Sequence, residues 1–150
     1  MTSIASIISI KRHALVAYTP RQMFELVNSI EEYPRFLPWC RATQVLSRTD
    51  TEVEASIEIA KSGIHKSFTT RNFLYPYESM KITLISGPFH QLEGIWNFIA
   101  LGEGCKITLE LDFELTGHIV DKVFQPIFSH IANSMVDAFC KRAVEIYGED

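Results

Sequence analysis

Several things are scarce in this chain, and each scarcity removes a class of protein. Cysteine is one: Cys40, Cys105 and Cys140 lie far apart with no C-x-x-C spacing. That pattern argues against a disulfide frame or a thiolate zinc site and predicts reduced, buried thiols in a reducing compartment. Positive charge is another. Lys and Arg number 14 against 18 Asp and Glu, for a net charge of −4, so the chain has no bulk attraction to phosphate and a nonspecific nucleic-acid binder is disfavoured. Uncharged apolar runs of about 18 residues are missing, so no segment is expected to span a membrane and any membrane contact would be peripheral. At the N-terminus Lys11 and Arg12 follow the first apolar run instead of preceding it, the wrong order for a secretory signal. A cytoplasmic protein is expected.

Linkers, internal repeats and low-complexity tracts are also lacking, and 150 residues with 47% hydrophobic content read as one domain over residues 1–150. Such a domain buries roughly two thirds of its unfolded surface, enough for one core of useful volume. "SIISIKRHALVAY" (Ser6 to Tyr18) reads as a β-rich first strand. In "TPRQMFELVNSI", Thr19 sits at an N-cap, Pro20 at the first helical position and Gln22 at the capping-box position, so a short amphipathic helix begins there. Val53, Ala55, Ile57 and Ile59 alternate with Glu52, Glu54, Ser56 and Glu58, which predicts a strand wet on one face.

Gly63, Pro76 and Gly87-Pro88-Phe89 punctuate three further strands in a meander, and Gly102-Glu103-Gly104 signals a tight turn. After it Ile107, Leu109, Leu111, Phe113 and Leu115 alternate with polar residues. From Pro126 the period changes: Ile127, Ile131, Met135, Ala138, Phe139 and Ile146 recur at helical steps. A helix from Pro126 to Tyr147 would be about 33 Å long. An antiparallel sheet with one apolar face and a single long striped helix must bury those faces on each other, so the fold class is α+β, with an apolar cavity expected where a twisted sheet fails to close on the helix.

The candidate cavity wall is Ile57, Ile59, Trp96, Phe98, Leu109, Leu111, Phe113, Ile127, Ile131, Met135 and Phe139. Strand parity adds a candidate mouth. In a meander every second connection lies at the same end of the sheet, which brings "YPRFLPWC" together with Lys61-Ser62-Gly63, Gly87-Pro88-Phe89 and Gly117-His118. Tyr33, Phe36, Leu37, Pro38, Trp39, Gly87, Pro88 and Phe89 are therefore expected at one rim, as a structural plug or as a lip of the cavity. Arg35, Arg41, Lys61 and Lys66 fall at the same rim and form a candidate positive lip.

Signs of catalysis are thin. Glu110, Asp112 and Glu114 fall on the solvent face of their strand, and His65, His90, His118 and His130 have no metal-ligand spacing. No Gly-rich phosphate loop, G-x-S-x-G elbow or Cys-His signature occurs. The chain reads as non-catalytic, with no cofactor required and no metal.

The segments "MFELVNSIEEYPRFLPWC", "FTTRNF", "GPFHQLEGIWNF" and "MVDAFCKRAVEIYG" together resemble the START-like family of coenzyme Q-binding and ribosome association toxin proteins. The resemblance runs in order over nearly the whole chain. It implies a helix-grip fold: a curved antiparallel sheet of about seven strands around a long C-terminal helix, with two short helices after the first strand. It also implies one of two activities. One is binding of ubiquinone or a related isoprenoid lipid in support of respiration. The other is that of a toxin, with an antitoxin protein as a candidate partner, that binds the large ribosomal subunit and blocks subunit joining. Lipid binding is the first expectation and the ribosome the alternative.

Overall fold

The computed structural model describes residues 7–117 and 119–148, and the side chains of 119–121 lie outside that description. The elements run β1 (Ile8–Val16), α1 (Pro20–Asn28), a 3-10 turn (Ile30–Glu32), α2 (Tyr33–Phe36), β2 (Cys40–Arg48), β3 (Glu52–Lys61), β4 (Ile64–Tyr75), β5 (Ser79–Ser86), β6 (Phe89–Leu101), β7 (Gly104–Leu115) and α3 (Ile119–Tyr147). All seven strands form one antiparallel sheet in the order β1-β7-β6-β5-β4-β3-β2. This is the α+β helix-grip arrangement.

Strand order makes β1 and β2 the two edges, so the chain between them must cross the full width of the sheet. The short helices make that crossing. α1 starts where the capping box places it: the Thr19 hydroxyl accepts from the Gln22 backbone N–H at 3.1 Å, and Thr19 N–H donates to Gln22 Oε1 at 2.8 Å. It packs on β6, β7 and α3, while the 3-10 turn and α2 pack on β2. The Thr43 hydroxyl donates to the Ile30 carbonyl at 3.1 Å and fixes that corner.

Parity holds among the described residues. Cys40 pairs with Ile59, Lys61 with Ile64 and Phe89 with Leu115 at one end. Arg48 pairs with Val53, Tyr75 with Ser79 and Leu101 with Gly104 at the other. His118, assigned to the first end, lies outside the described residues. At that end the backbone of Gly87 has φ +150, and a Cβ there would stand 2.6 Å from the Phe68 Cβ; only glycine meets both demands. A register shift at Thr69/Thr70 bends β4 and β5, and bulges of this kind increase local twist and curvature.

The long helix differs from its expected span. It begins at Ile119, not Pro126, and Pro126 lies inside it. A proline costs an interior helix one backbone hydrogen bond, but here two turns precede it and apolar side chains on both sides of it reach the sheet. The buried stripe is Phe124, Phe128, Ile131, Ala132, Val136, Phe139 and Ala143. Ile127, Met135 and Ala138 are half-buried and flank it, and Ile146, expected in the stripe, is 50% exposed. The i, i+4 rows starting at Phe124 carry the buried face, one position round from the row that Ile127 suggested.

The helix is held by rings. Phe139 lies 5.4 Å from Tyr33, 5.3 Å from Phe36 and 5.4 Å from Trp96, all edge to face. Phe139→Ala should therefore lower unfolding free energy by about 3–5 kcal/mol, whereas Ile146→Ala should change it by less than about 0.5 kcal/mol. Urea denaturation of the two variants checks both values, and a similar midpoint for each would show that the stripe has been assigned wrongly.

Candidate functional site

Two aromatic clusters occupy the concave side of the sheet. One joins Phe24, Phe98, Trp96, Tyr33, Phe36 and Phe139. The second joins Phe68, Phe89, Phe113, Phe124 and Phe128. Between them lies a cavity of about 80 Å³ whose lining includes Tyr33 and Trp96 from the first cluster and Phe68 and Phe128 from the second. Its half-buried lining residues are Ile57, Ile82 and Met135, so it comes nearest to solvent between α3 and the β3–β5 side of the sheet.

Seven of the expected wall residues line this cavity: Ile57, Ile59, Trp96, Leu109, Leu111, Ile131 and Met135. Four do not. Phe98 stacks against Trp96 and Phe24, Phe113 against Phe89 and Phe128, and Phe139 closes on Tyr33 and Phe36. Ile127 sits beside the buried stripe. Their inward parity is right, but neighbouring rings stand between them and the open space.

The expected mouth is also divided. Tyr33 and Trp39 reach the cavity. Leu37 is buried in the core without lining it, Phe36 packs under the Arg142 guanidinium at 5.0 Å, and Pro38 is exposed. Gly87 and Pro88 belong to a turn closed by Thr116 N–H donating to the Pro88 carbonyl, and Phe89 is part of the second aromatic cluster. These three pack the sheet end and do not open onto the cavity. "YPRFLPWC" is thus mainly a plug at the end of the edge-to-edge crossing, with two residues turned into the chamber.

The positive lip is mostly neutralised. Arg35 stands 3.5 Å from Glu32 and Arg41 3.6 Å from Glu58, both pairs well exposed. Lys61 and Lys66 are half-buried at the same end of the sheet.

Two lining residues escaped the sequence reading. Thr70 and Asn72 are the buried polar side chains among the described residues, at 4% and 6% exposure. They share inward parity with Phe68 and Leu74 on β4, which is the signal that marked them. Among the lining side chains none is Lys, Arg, His, Asp or Glu. The phenol of Tyr33 donates to the Val27 carbonyl, and burial raises its pKa far above the ordinary value. An acid or base for chemistry at neutral pH is therefore not on offer in this chamber. No three His, Cys, Asp or Glu gather as metal ligands among the described residues.

The model for the family described as "Polyketide cyclase / dehydrase and lipid transport" matches residues 16–140. The chain belongs to that family. A Pseudomonas aeruginosa protein named ribosome association toxin RatA is 48% identical over 93% of this chain and 97% of its own length. More distantly, the Xenopus laevis coenzyme Q-binding protein COQ10 homolog B, mitochondrial, is 26% identical over 89% of this chain and 57% of its own length. A START superfamily protein from Mycobacterium smegmatis superposes with a TM-score of 0.77 at 16% identity, covering 92% of this chain and 98% of that one. Family and fold are those that the sequence resemblance implied. The similar proteins named here are called a toxin and a binding protein, not enzymes. No helix among the described residues is long and apolar enough to cross a membrane.

Burial also gives the plug a pH signature. Loss of hydration on burial pushes the Cys40 thiol from 9.0 up to about 11 and holds the Tyr33 phenol in its neutral form. Both groups favour the folded state fully below their unfolded pKa values. As pH rises above about 9 the unfolded chain ionises Cys40 while the folded chain does not, so that stability drains away between pH 9 and about 11. Two units correspond to about 2–3 kcal/mol. Unfolding free energy measured from pH 8 to 11 should fall by roughly that amount, and Cys40→Ala should flatten the part between 9 and 11. An unchanged slope in the variant would show that Cys40 is solvated.

Proposed function

We propose that this protein binds the large ribosomal subunit and opposes subunit joining, using the helix-grip fold as an interaction scaffold in the cytoplasm. The observation that carries this reading is the 48% identity to ribosome association toxin RatA across nearly the full length of both chains. It reverses the order of the expectations drawn from sequence, which put lipid binding first. The rim offers a contact surface in keeping with it. Arg35 and Arg41 are 72% and 62% exposed, and their pairings with Glu32 and Glu58 at 3.5 and 3.6 Å are loose enough to exchange for phosphate.

A second reading, binding of a small apolar molecule, is favoured by one specific feature: an apolar cavity between two ring clusters with a buried polar pair in its wall. Its volume of about 80 Å³ limits what enters without rearrangement. A ring fits more readily than a long isoprenoid chain, so a ubiquinone would have to lead its tail out past Ile57, Ile82 and Met135. The two activities use different surfaces and are compatible in one molecule. An antitoxin partner, if the protein is a toxin, would compete for the ribosome-facing rim.

Co-sedimentation with large subunits at about 50 and 200 mM salt tests the first reading. The protein should pellet with the subunits at the lower salt, less at the higher, and the Arg35→Glu/Arg41→Glu variant should bind roughly tenfold more weakly. Failure to pellet at either salt would overturn the ribosome proposal, and pelleting unaffected by the reversals would move the contact away from this rim.

A further inference from the structure

Thr70 and Asn72 sit where a purely structural core would carry valine and leucine. The Thr70 hydroxyl donates to Asn72 Oδ1 at 3.1 Å, and Asn72 Nδ2 has only the Met80 thioether near it, at 3.8 Å. An amide nitrogen carries two protons and a thioether is a weak acceptor, so the amide keeps donor capacity that no oxygen in the chain uses. Thr70, Asn72 and Met80 all line the cavity. Replacing both polar groups by apolar ones of similar shape would cost a core little or nothing, which leaves the pair without a structural purpose.

We infer that Thr70 and Asn72 form the recognition point for a neutral, apolar ligand bearing a carbonyl oxygen, with the Asn72 amide donating to that oxygen. The inference rests on the second reading above, that the cavity takes a small molecule, and adds what the molecule must carry. Neutrality follows from the lining, which has no cation to pair with a carboxylate or phosphate; a buried unpaired charge is prohibitive. Size follows from the volume. The chamber holds about 80 Å³, against about 150 Å³ for a cavity known to admit benzene, so a single ring enters with modest displacement of the half-buried Ile57, Ile82 and Met135 and a fused ring system does not. The carbonyl requirement follows from the unused donor, because a site with a buried donor discriminates against an analogue that lacks the acceptor.

Three single-ring probes separate these claims: acetophenone, its oxygen-free analogue ethylbenzene, and benzoate. Both tryptophans of the chain, Trp39 and Trp96, line the cavity, so NMR titration of their indole N–H signals reports occupancy for every probe. The wild type should bind acetophenone about fivefold more tightly than ethylbenzene and should not bind benzoate. In Thr70→Val/Asn72→Leu the preference should vanish or reverse while ethylbenzene still binds, and the double change avoids stranding one polar partner. Equal binding of acetophenone and ethylbenzene by the wild type would overturn the recognition role and leave the cavity a nonselective apolar site. Absence of binding by all three probes would overturn the ligand reading together with it. Should the double variant fail to fold, the wild-type preference alone decides.

Discussion

A seven-stranded sheet curved into a trough is wider than the one helix laid in it, and the rest of the architecture answers that mismatch. α3 lies closest to β1 and β7, which leaves the β3–β5 side of the trough to be filled by side chains alone. Large rings do the filling. Phe128 and Phe139 reach outward from the helix, and Phe68, Phe89, Trp96 and Tyr33 reach inward to meet them. Rings pack edge to face at centroid distances of about 5–6 Å, which suits broad gaps better than aliphatic side chains do. Packing of this kind closes both flanks of the trough, and what remains between the two clusters is the cavity.

The same mismatch accounts for the crossing from β1 to β2. Because the edge strands are sequence neighbours but spatially far apart, the chain between them has to bridge the trough, and doing so roofs the part that α3 leaves open. Each corner of that bridge is tied to the body by a polar contact. The Tyr33 phenol bonds to the Val27 carbonyl, Thr43 to the Ile30 carbonyl, and Arg48 to Glu31 and the Asn28 carbonyl. Burial of the Tyr33 and Trp39 side chains in the trough anchors the end of it. A proline-rich segment suits the task, since it turns sharply without asking for helix or ladder hydrogen bonds.

Much of this was legible in the sequence, for reasons that can be traced to particular residues. Strand alternation in 53–59 and 107–115 is visible because one face of the sheet is wet, and parity then follows from counting connections. The N-terminus of α1 was readable because Thr19, Pro20 and Gln22 each have one local job. What was not legible depends on distances between elements. Pro126 read as a helix start because a proline is most at home there, yet packing of Phe124 and Phe128 on the sheet carries the helix through it. Phe98, Phe113 and Phe139 share the parity of true lining residues, and only the positions of neighbouring rings screen them from the space. Thr70 and Asn72 were hidden by their chemistry: polar residues at inward parity look like interruptions of a pattern, not members of it.

Cavity and rim are built from one short piece of chain, and this bears on how two activities coexist in the family. From Tyr33 to Arg41, side chains divide by direction: Tyr33 and Trp39 point into the cavity, while Arg35 and Arg41 point to solvent beside Glu32 and Glu58. Trp39 is further locked to the sheet by its carbonyl, which accepts from the Ala60 N–H at 2.9 Å. The backbone under the two arginines is therefore positioned by residues whose packing depends on what fills the chamber. The lining is apolar and uncharged, the rim charged and wet, so substitution at one leaves the chemistry of the other untouched. Geometry is what they share. A molecule large enough to displace Tyr33 or Trp39 shifts the segment that carries Arg35 and Arg41, whereas one small enough to lie against Asn72 without disturbing either ring leaves the rim where it stands.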